Sequence, residues 1–530
     1  MRITSLGHAG LLIETGTASI TCDPWFEPAF RGSWFVYPRN DRLDDDLRHR
    51  LTHPTYLYVS HLHGDHFDEP FLRDHMDHDT VVLLPDFPTG EMERRLRQIG
   101  FHRFVRTRHG EERDLGAGLV VAIHVETSIT DGPGGDSALV VSDGRHRVVD
   151  QNDCRTHDLA ALAGHGTVDV HLLQHSGAIW YPMVYDLPAD ETMGLCRAKV
   201  AGQLSRALRY VEAVDARMVM PSAGPPAFLD PELFSLNMIT GDEPTIFPDQ
   251  TVFLGQLEAA GRRGVMNIPG TAVELDGDAV EVRHPVPDAD VDRPFSDKAG
   301  ELARYQADWL PWLAEERARW HGATDDLLDR LRRWWEPLLA MATSLRQGVG
   351  ASCLLRALPD ERCAQGVDIL IDFPAGEVRP YAGEAYRFRF EVARSLVETV
   401  AAEYAVDWSN SLFLSCRFRA WRDGDFNEHL YNFFKSLSVE RMRRTEDEAR
   451  RRLGSPEPEN PTDDVRVGDW LVGRWCPHRR GDLSVFGEVS PDGGELVCTL
   501  HGWRFELPSG RCLNAEDHRL RVRPAPVQSA

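Results

Sequence analysis

The sequence predicts a layered α/β domain at the N-terminus, a helical and mixed α+β middle domain, and a small all-β domain at the C-terminus. Three observations carry that reading. Short β-branched runs alternate with turns to about residue 290. Leucine and tryptophan then recur at helical spacing to about residue 347. The last 66 or so residues read as short strands separated by glycine turns.

In the first unit, residues 1–295, the runs at 11–14, 18–21, 56–59, 81–84, 119–122 and 138–141 read as strands with helices between them. Such a density of strands points to a sandwich of sheets covered by helices. The second unit, residues 296–452, opens with two helical stretches, 301–321 and 324–347. There Leu310, Trp312 and Leu313, and then Leu327, Leu331, Trp334, Trp335, Leu338 and Leu339, recur at helical spacing. A strand at 367–373 and a helix from about 384 to 404 complete it. Residues 453–464 have the Pro, Gly and acidic composition of a linker, and residues 465–530 form the last unit.

At 530 residues and 42% hydrophobic content, the chain has material for several cores. A formal charge of −24 argues against binding nucleic acid or an anionic membrane, since the summed field repels polyanions. No run approaches the roughly 18 apolar residues of a membrane span. Residues 1–4 lead into strand-like sequence rather than a signal peptide, so the expected location is the cytoplasm. Nine cysteines in so large a chain do not read as a disulfide framework.

Two cysteines do have ligand spacing. Cys476-Pro477-His478 is followed after 19 residues by Cys498-Thr499-Leu500-His501, each on a glycine-bounded loop. Two thiolates and two imidazoles suit a [2Fe–2S] cluster in which both cysteines hold one iron and both histidines the other. A structural zinc finger would place its two histidines together on a helix, whereas here Cys and His alternate on two loops. Cys512 reads as a buried thiol outside the ligand set. This segment, with His501-Gly502-Trp503 and Ser509-Gly510-Arg511-Cys512, resembles Rieske domains.

Near the N-terminus, Ser60-His61-Leu62-His63-Gly64-Asp65-His66 follows an apolar run. In an extended segment His61 and His63 project to one side, and the turn at Gly64 swings Asp65 and His66 toward the same point. Gly7-His8-Ala9-Gly10, Cys22-Asp23-Pro24-Trp25 and Asp150-Gln151-Asn152-Asp153 supply the context, with Asp153 the candidate for a bridging carboxylate. The pattern resembles the metallo-β-lactamase superfamily, which implies an αββα sandwich. Two histidines that superfamily members carry are absent: the corresponding places read 130–136, with Asp131, and Pro221-Ser222-Ala223-Gly224. His124, Asp131 and His175 are possible substitutes. What survives suits a site of the two-histidine, one-carboxylate type with open positions.

Together the two motifs resemble the CMP-N-acetylneuraminate hydroxylases, with segments such as 23–34, 60–66, 153–155 and 177–183 in matching order. The resemblance is expected over most of residues 1–435, and here the Rieske unit comes last rather than first. It implies a Rieske-type oxygenase. A cluster at Cys476, His478, Cys498 and His501 would pass electrons to iron, mononuclear or dinuclear, held by His61, His63, Asp65, His66 and Asp153, with zinc less favoured. Expected partners are a small-molecule substrate, dioxygen and an external ferredoxin or NAD(P)H-dependent reductase, because no Gly-x-Gly-x-x-Gly strand-to-helix fingerprint is present. A homo-oligomer is expected if one subunit's cluster lies far from its own iron. The competing readings are a metal-dependent hydrolase with a redox-sensing Rieske domain, and an electron-transfer protein with a vestigial metal site.

Overall fold

The computed structural model describes residues 1–127, 134–454, 463–478, 480–515 and 518–526. Of the linker read at 453–464, residues 455–462 lie outside the described residues, as does Asp131.

Two sheets face each other in the N-terminal part. The first has eight strands, ordered Ala279–Arg283, Ala272–Asp276, Arg2–Gly7, Gly10–Glu14, Ser19–Cys22, Tyr56–Tyr58, Val81–Leu84 and Phe104–Arg106. The second has six, ordered Met218–Ser222, Val170–Gln174, Arg147–Asn152, Asp136–Ser142, Leu119–Glu126 and Glu112–Gly116. Alternation along each strand sorts the side chains. Ile3, Ile13, Ile20 and Tyr58 meet Val121, Ile123, Leu139 and Met220 between the sheets. Leu6, Leu12, Leu57 and Val82 face outward onto Leu47, Leu51, Phe71 and Leu96 of the helices Asp45–Thr52, Glu69–Asp74 and Glu91–Gln98. The helices Leu159–Ala163 and Ala189–Val214 cover the second sheet. This is the αββα metallo-β-lactamase architecture.

Parallel pairing decides where chemistry can gather. Ser19–Cys22, Tyr56–Tyr58 and Val81–Leu84 run parallel, as do Arg147–Asn152, Val170–Gln174 and Met218–Ser222. The loops leaving their C-terminal ends therefore share one rim of the sandwich. Asp23 leaves the first of these strands, Ser60 to His66 the second, and Asp153 and His175 two strands of the other sheet.

The middle part is a five-stranded sheet, ordered Glu377–Pro380, Val367–Asp372, Ser352–Leu358, Phe388–Ala393 and Phe418–Arg422. Its core centres on Trp335, fully buried in the helix Leu327–Met341, with Trp408 at 5.0 Å and Phe433 and Phe434 at 5.8 and 5.9 Å between ring centroids. One expectation fails here. Residues 384–404 are not a single helix, because Phe388, Phe390 and Val392 alternate into the core as a strand, and the helix begins only at Arg394. The long helix Lys298–Arg319 lies against the N-terminal part, where Trp309 and Trp312 pack edge-on to Phe35 at 5.3 and 6.3 Å.

A buried ion pair ties the middle part to the sandwich. Arg417 donates to Asp230 at 2.6 Å, to the Arg31 carbonyl at 2.8 Å and to Ser33, while Arg317 donates to Asp230 at 2.8 Å. Burial would push the Asp230 carboxyl up, but the two guanidiniums outweigh it and hold it below the usual range. A carboxyl depressed in the folded state contributes stability that is full above its unfolded pKa of about 4 and is lost as pH falls below that. Asp230→Asn, which leaves buried Arg417 without its counter-charge, should destabilise the protein by about 3–5 kcal/mol in denaturant titrations. The difference from the parent should shrink at acid pH.

The C-terminal unit consists of two three-stranded sheets, Asp464–Val467, Trp470–Gly473 and Val522–Pro524, and Gly487–Val489, Glu495–Cys498 and Trp503–Glu506. It docks on the helix Ala189–Val214. Tyr210 packs on Phe486 at 5.9 Å, Ser205 donates to Glu488 at 2.9 Å, and Arg209 binds Glu488 and the Val485 carbonyl. Leu204, Ala207 and Val211 join Leu483, Leu496 and Leu500 in one apolar cluster.

Candidate metal centres

At the rim of the sandwich, His61, His63, Asp65 and His66 sit on one loop, and Asp153 comes from the facing sheet. Ligand atoms of His61, His66 and Asp153 lie within 4.8 Å of one another, and so do those of His8, Asp65 and His66. His66 is common to both sets. Its Nε2 is 3.3 Å from Asp153 Oδ1 and 3.8 Å from Asp65 Oδ2. His63 Nδ1 lies 2.9 Å from His61 Nε2, so it joins the group through its neighbour.

The surroundings orient these groups. Asp23, fully buried, accepts from the Ser60 amide at 2.7 Å and the Ser60 hydroxyl at 2.6 Å, and its Oδ2 is 2.7 Å from His66 Nδ1. That contact favours a proton on Nδ1 and turns Nε2 toward Asp153 and Asp65, so that a metal displacing the Nε2 proton would meet the arrangement by which a carboxylate orients a metal-binding imidazole. Asp136 places Oδ1 3.4 Å from His61 Nδ1 and does the same for that ring. From the middle part, Asn410 accepts from the Gly64 amide and donates to the Leu62 carbonyl, both at 3.0 Å, so a second domain clamps the loop.

The electrostatics fit a cation. Burial alone would raise the Asp65 carboxyl, yet His66 and His8 reverse this and keep it ionised. Burial would lower His66, and Asp153, Asp65 and Asp23 raise it well above its ordinary value. His63 is pushed down to about 3 by burial and by His61. Among the described residues, Asp65 Oδ1, Asp153 Oδ1 and His66 Nε2 are buried without a hydrogen-bond partner. Buried polar atoms left so are costly, and a metal bound by nitrogen and oxygen donors would satisfy all three.

Of the proposed substitutes for the missing histidines, His124 points away from this group. It lies on the outer face of its strand with its Nε2 2.7 Å from His165 Nε2. His175 is fully buried, stacked on Phe253 at 5.6 Å, and its nearest relation to the site is through His8. The sequence reading did not assign His8, Asp23, Asp136 or Asn410. His8 stands in the tight turn between the first two strands at φ 53°, with Nε2 3.2 Å from Asp65. The glycines at 7 and 10 that bracket this turn were the available signal.

The second centre lies in the C-terminal unit. Ligand atoms of Cys476, Cys498 and His501 fall within 4.8 Å of one another, with Cys498 Sγ 3.8 Å from His501 Nδ1. His478 stands edge-on to His501 at 5.0 Å and is stacked on Trp503 at 3.8 Å, which fixes its ring plane. A hydrogen bond from Cys476, together with the amides of Leu500 and His501, pulls the Cys498 thiol down against the effect of burial. Thiolate is the form a metal needs. Gly481 completes the cradle, since a Cβ there would lie 3.2 Å from Cys498 Sγ. The donor set and its enclosure fit a Rieske cluster.

Residues 468–524 match the Rieske [2Fe-2S] domain, and residues 327–451 match the Rv3818-like, SCP2-like domain. Over 530 aligned residues the chain is 43% identical to Rv3818 of Mycobacterium tuberculosis strain H37Rv, covering 98% of this chain and 99% of that one. The chain belongs to the Rv3818 family, whose relatives are named as Rieske 2Fe-2S iron-sulfur proteins. Its domain order is therefore a family trait. Similarity to the chimpanzee cytidine monophosphate-N-acetylneuraminic acid hydroxylase is 38% over 76 residues, 14% of this chain and 12% of that one. The resemblance expected over most of residues 1–435 is thus confined to a short stretch. Among solved structures, CmlA, a diiron β-hydroxylase from Streptomyces venezuelae, aligns at 16% identity with a TM-score of 0.33, over 52% of this chain and 54% of that one. Among the described residues of the Rv3818-family chain, no helix is long and apolar enough to cross a membrane.

Proposed function

We propose that this Rv3818-family protein is an oxygen-dependent oxidoreductase, hydroxylase-like in chemistry, acting on a small molecule at the rim of the N-terminal sandwich. The observation that carries the reading is that one chain encloses both donor sets, with the loop that begins at Asp153 within electrostatic reach of the loop carrying Cys476 and His478. When bound, the [2Fe–2S] cluster would supply single electrons, and iron held by His61, His63, Asp65, His66 and Asp153, with His8 beside them, would supply the activation of dioxygen.

Asp153 begins a loop in which Thr156 is fixed by the Tyr210 hydroxyl at 2.7 Å and His157 feels the charge of Arg480, on the loop carrying Cys476 and His478. Four residues of chain span at most about 14 Å. Arg206 donates to the Leu500 carbonyl, between Cys498 and His501, at 3.4 Å. On this reading electrons need not come from a second copy of the chain, whereas an external ferredoxin or reductase is still required.

The residues around the rim hold geometry and charge. Asp23 and Asp136 orient His66 and His61, and Asn410 holds the loop so that domain docking and site geometry are linked.

The test is metal content against reaction. Protein purified with its metals should show a Rieske EPR signal after dithionite, contain iron beyond the two atoms of the cluster, and consume dioxygen in step with product. Two irons plus zinc, with steady hydrolysis of an ester or phosphodiester in the absence of oxygen, would establish the hydrolase reading instead.

A further inference from the structure

One side chain of the middle part reaches the cluster site. His478 Nε2 lies 3.6 Å from Glu428 Oε2, and both side chains are at least nine-tenths buried. Glu428 opens the helix Glu428–Phe434 of the middle part. With Nε2 turned to a carboxylate, Nδ1 is the nitrogen that His478 presents to the cluster. His501 presents the same atom, since its Nδ1 is the one 3.8 Å from Cys498 Sγ. Stacking on Trp503, with 9° between the ring planes, holds the His478 ring in the plane that makes both contacts possible.

Glu428 is itself anchored. Its Oε2 accepts from Arg452 Nη1 at 2.5 Å, and Arg452 Nη2 donates to Glu448 at 2.6 Å, both on the helix Val439–Gly454. Beside it, Asn427 accepts from the Leu430 amide and donates to the Gly348 carbonyl, each at 3.0 Å. The Phe426 amide donates to the Asn514 carbonyl of the C-terminal unit at 3.2 Å, so segment 426–428 is tied to both parts. A carboxylate on the outer N–H of a metal-bound imidazole orients the ring and raises its basicity. Its buried negative charge also favours the oxidised cluster over the reduced one, which holds one more electron.

We infer that Glu428 is a positioning residue for His478: it holds the outer nitrogen of that ring and lowers the reduction potential of the cluster, with Arg452 moderating its charge. The affinity of the cluster for an electron then depends on docking against the middle part. This contact does not lead to the rim, because the carboxylate's other partner is Arg452 rather than a ligand of the N-terminal centre. The inference requires the Rieske cluster but not the oxidoreductase reading.

A redox titration of the full-length protein with its cluster, reduced stepwise with dithionite at one pH and followed by the Rieske EPR signal, reads this directly. Glu428→Gln keeps the size and loses the charge. Its ratio of reduced to oxidised cluster at a given ambient potential should rise about tenfold, the effect of one buried charge. For a one-electron couple that is a potential about 59 mV higher. In Arg452→Gln the ratio should fall about threefold, since the lost charge is positive and its side chain is 26% exposed. Glu428→Asp, which restores a carboxylate, should return part of the Gln shift. A cavity of about 180 Å³ borders the site, lined in part by Arg387, Glu428, His429, Trp503 and His518, and gives these side chains room to change without disturbing the packing. A residue that only braced the interface would move the Glu428→Gln and Arg452→Gln potentials alike. Shifts of the same sign in those two variants, or a Glu428→Gln potential equal to the parent's, overturn the inference. Should Glu428→Gln lose the cluster, Arg452→Gln decides alone: a lower potential supports the inference, and an equal or higher one overturns it. Turnover is not measured, so failure of the oxidoreductase reading is a separate result.

Discussion

Cys498→Ser should remove the Rieske EPR signal of the reduced protein and bring oxygen-dependent turnover to background, while iron at the N-terminal rim stays bound. Cys498 is fully buried, receives a hydrogen bond from Cys476 and faces the amides of Leu500 and His501, which together favour its thiolate. A serine hydroxyl is far less acidic and is a poor ligand for the iron that both cysteines share. The apolar contacts of Leu496 and Leu500 with the helix Ala189–Val214 are untouched, so the C-terminal unit should stay docked. Circular dichroism and metal analysis of the variant check this directly. Oxygen-dependent product that persists without the signal would separate the cluster from the reaction and favour a redox-sensing role.

Both donor loops were readable from the sequence because each is local. His61, His63, Asp65 and His66 lie within six residues, and each Cys and His pair of the cluster within four, so strand and turn geometry suffices to bring their side chains together. The groups that orient them were not readable. Asp23 is 43 residues from His66, and Asn410 is 346 residues from Gly64. Nothing in a short window tells an aspartate that orients a histidine from one that caps a helix. Gly7-His8-Ala9-Gly10 was noticed as context, but only the pairing of the first two strands shows that its imidazole faces Asp65. The strand Phe388–Ala393 was read as helix for a related reason. It is six residues long and runs directly into the helix Arg394–Ala402, and only its parallel pairing with Ser352–Leu358 reveals the period of two. The docking of the C-terminal unit on the helix Ala189–Val214 was least accessible, since it depends on contacts across about 280 residues of sequence, such as that of Ser205 with Glu488.

Asp153→Ala should lower iron affinity at the rim by more than about 100-fold, the upper end for changes to groups that merely orient ligands, and turnover should fall with it. Asp153 is the carboxylate from the second sheet, and its two oxygens face His66 at 3.3 Å and His61 at 4.0 Å. Burial would raise its carboxyl, but His66 and His61 lower it below the ordinary value, so it is ionised at neutral pH and available to a cation. His66 keeps its contact with Asp23 in the variant, and the His61 loop keeps Asn410, so the remaining ligands should hold their places. The Rieske signal should be unchanged, because the side chain of Asp153 faces His61 and His66, whereas the signal depends on Cys476, His478, Cys498 and His501. Metal analysis, EPR and dioxygen consumption on the same preparation therefore report the two centres separately. If Asp153→Ala retains iron at the rim, the metal is held by the other set, His8, Asp65 and His66, which shares only His66 with the set containing Asp153. In that case His8→Ala, not Asp153→Ala, should release it.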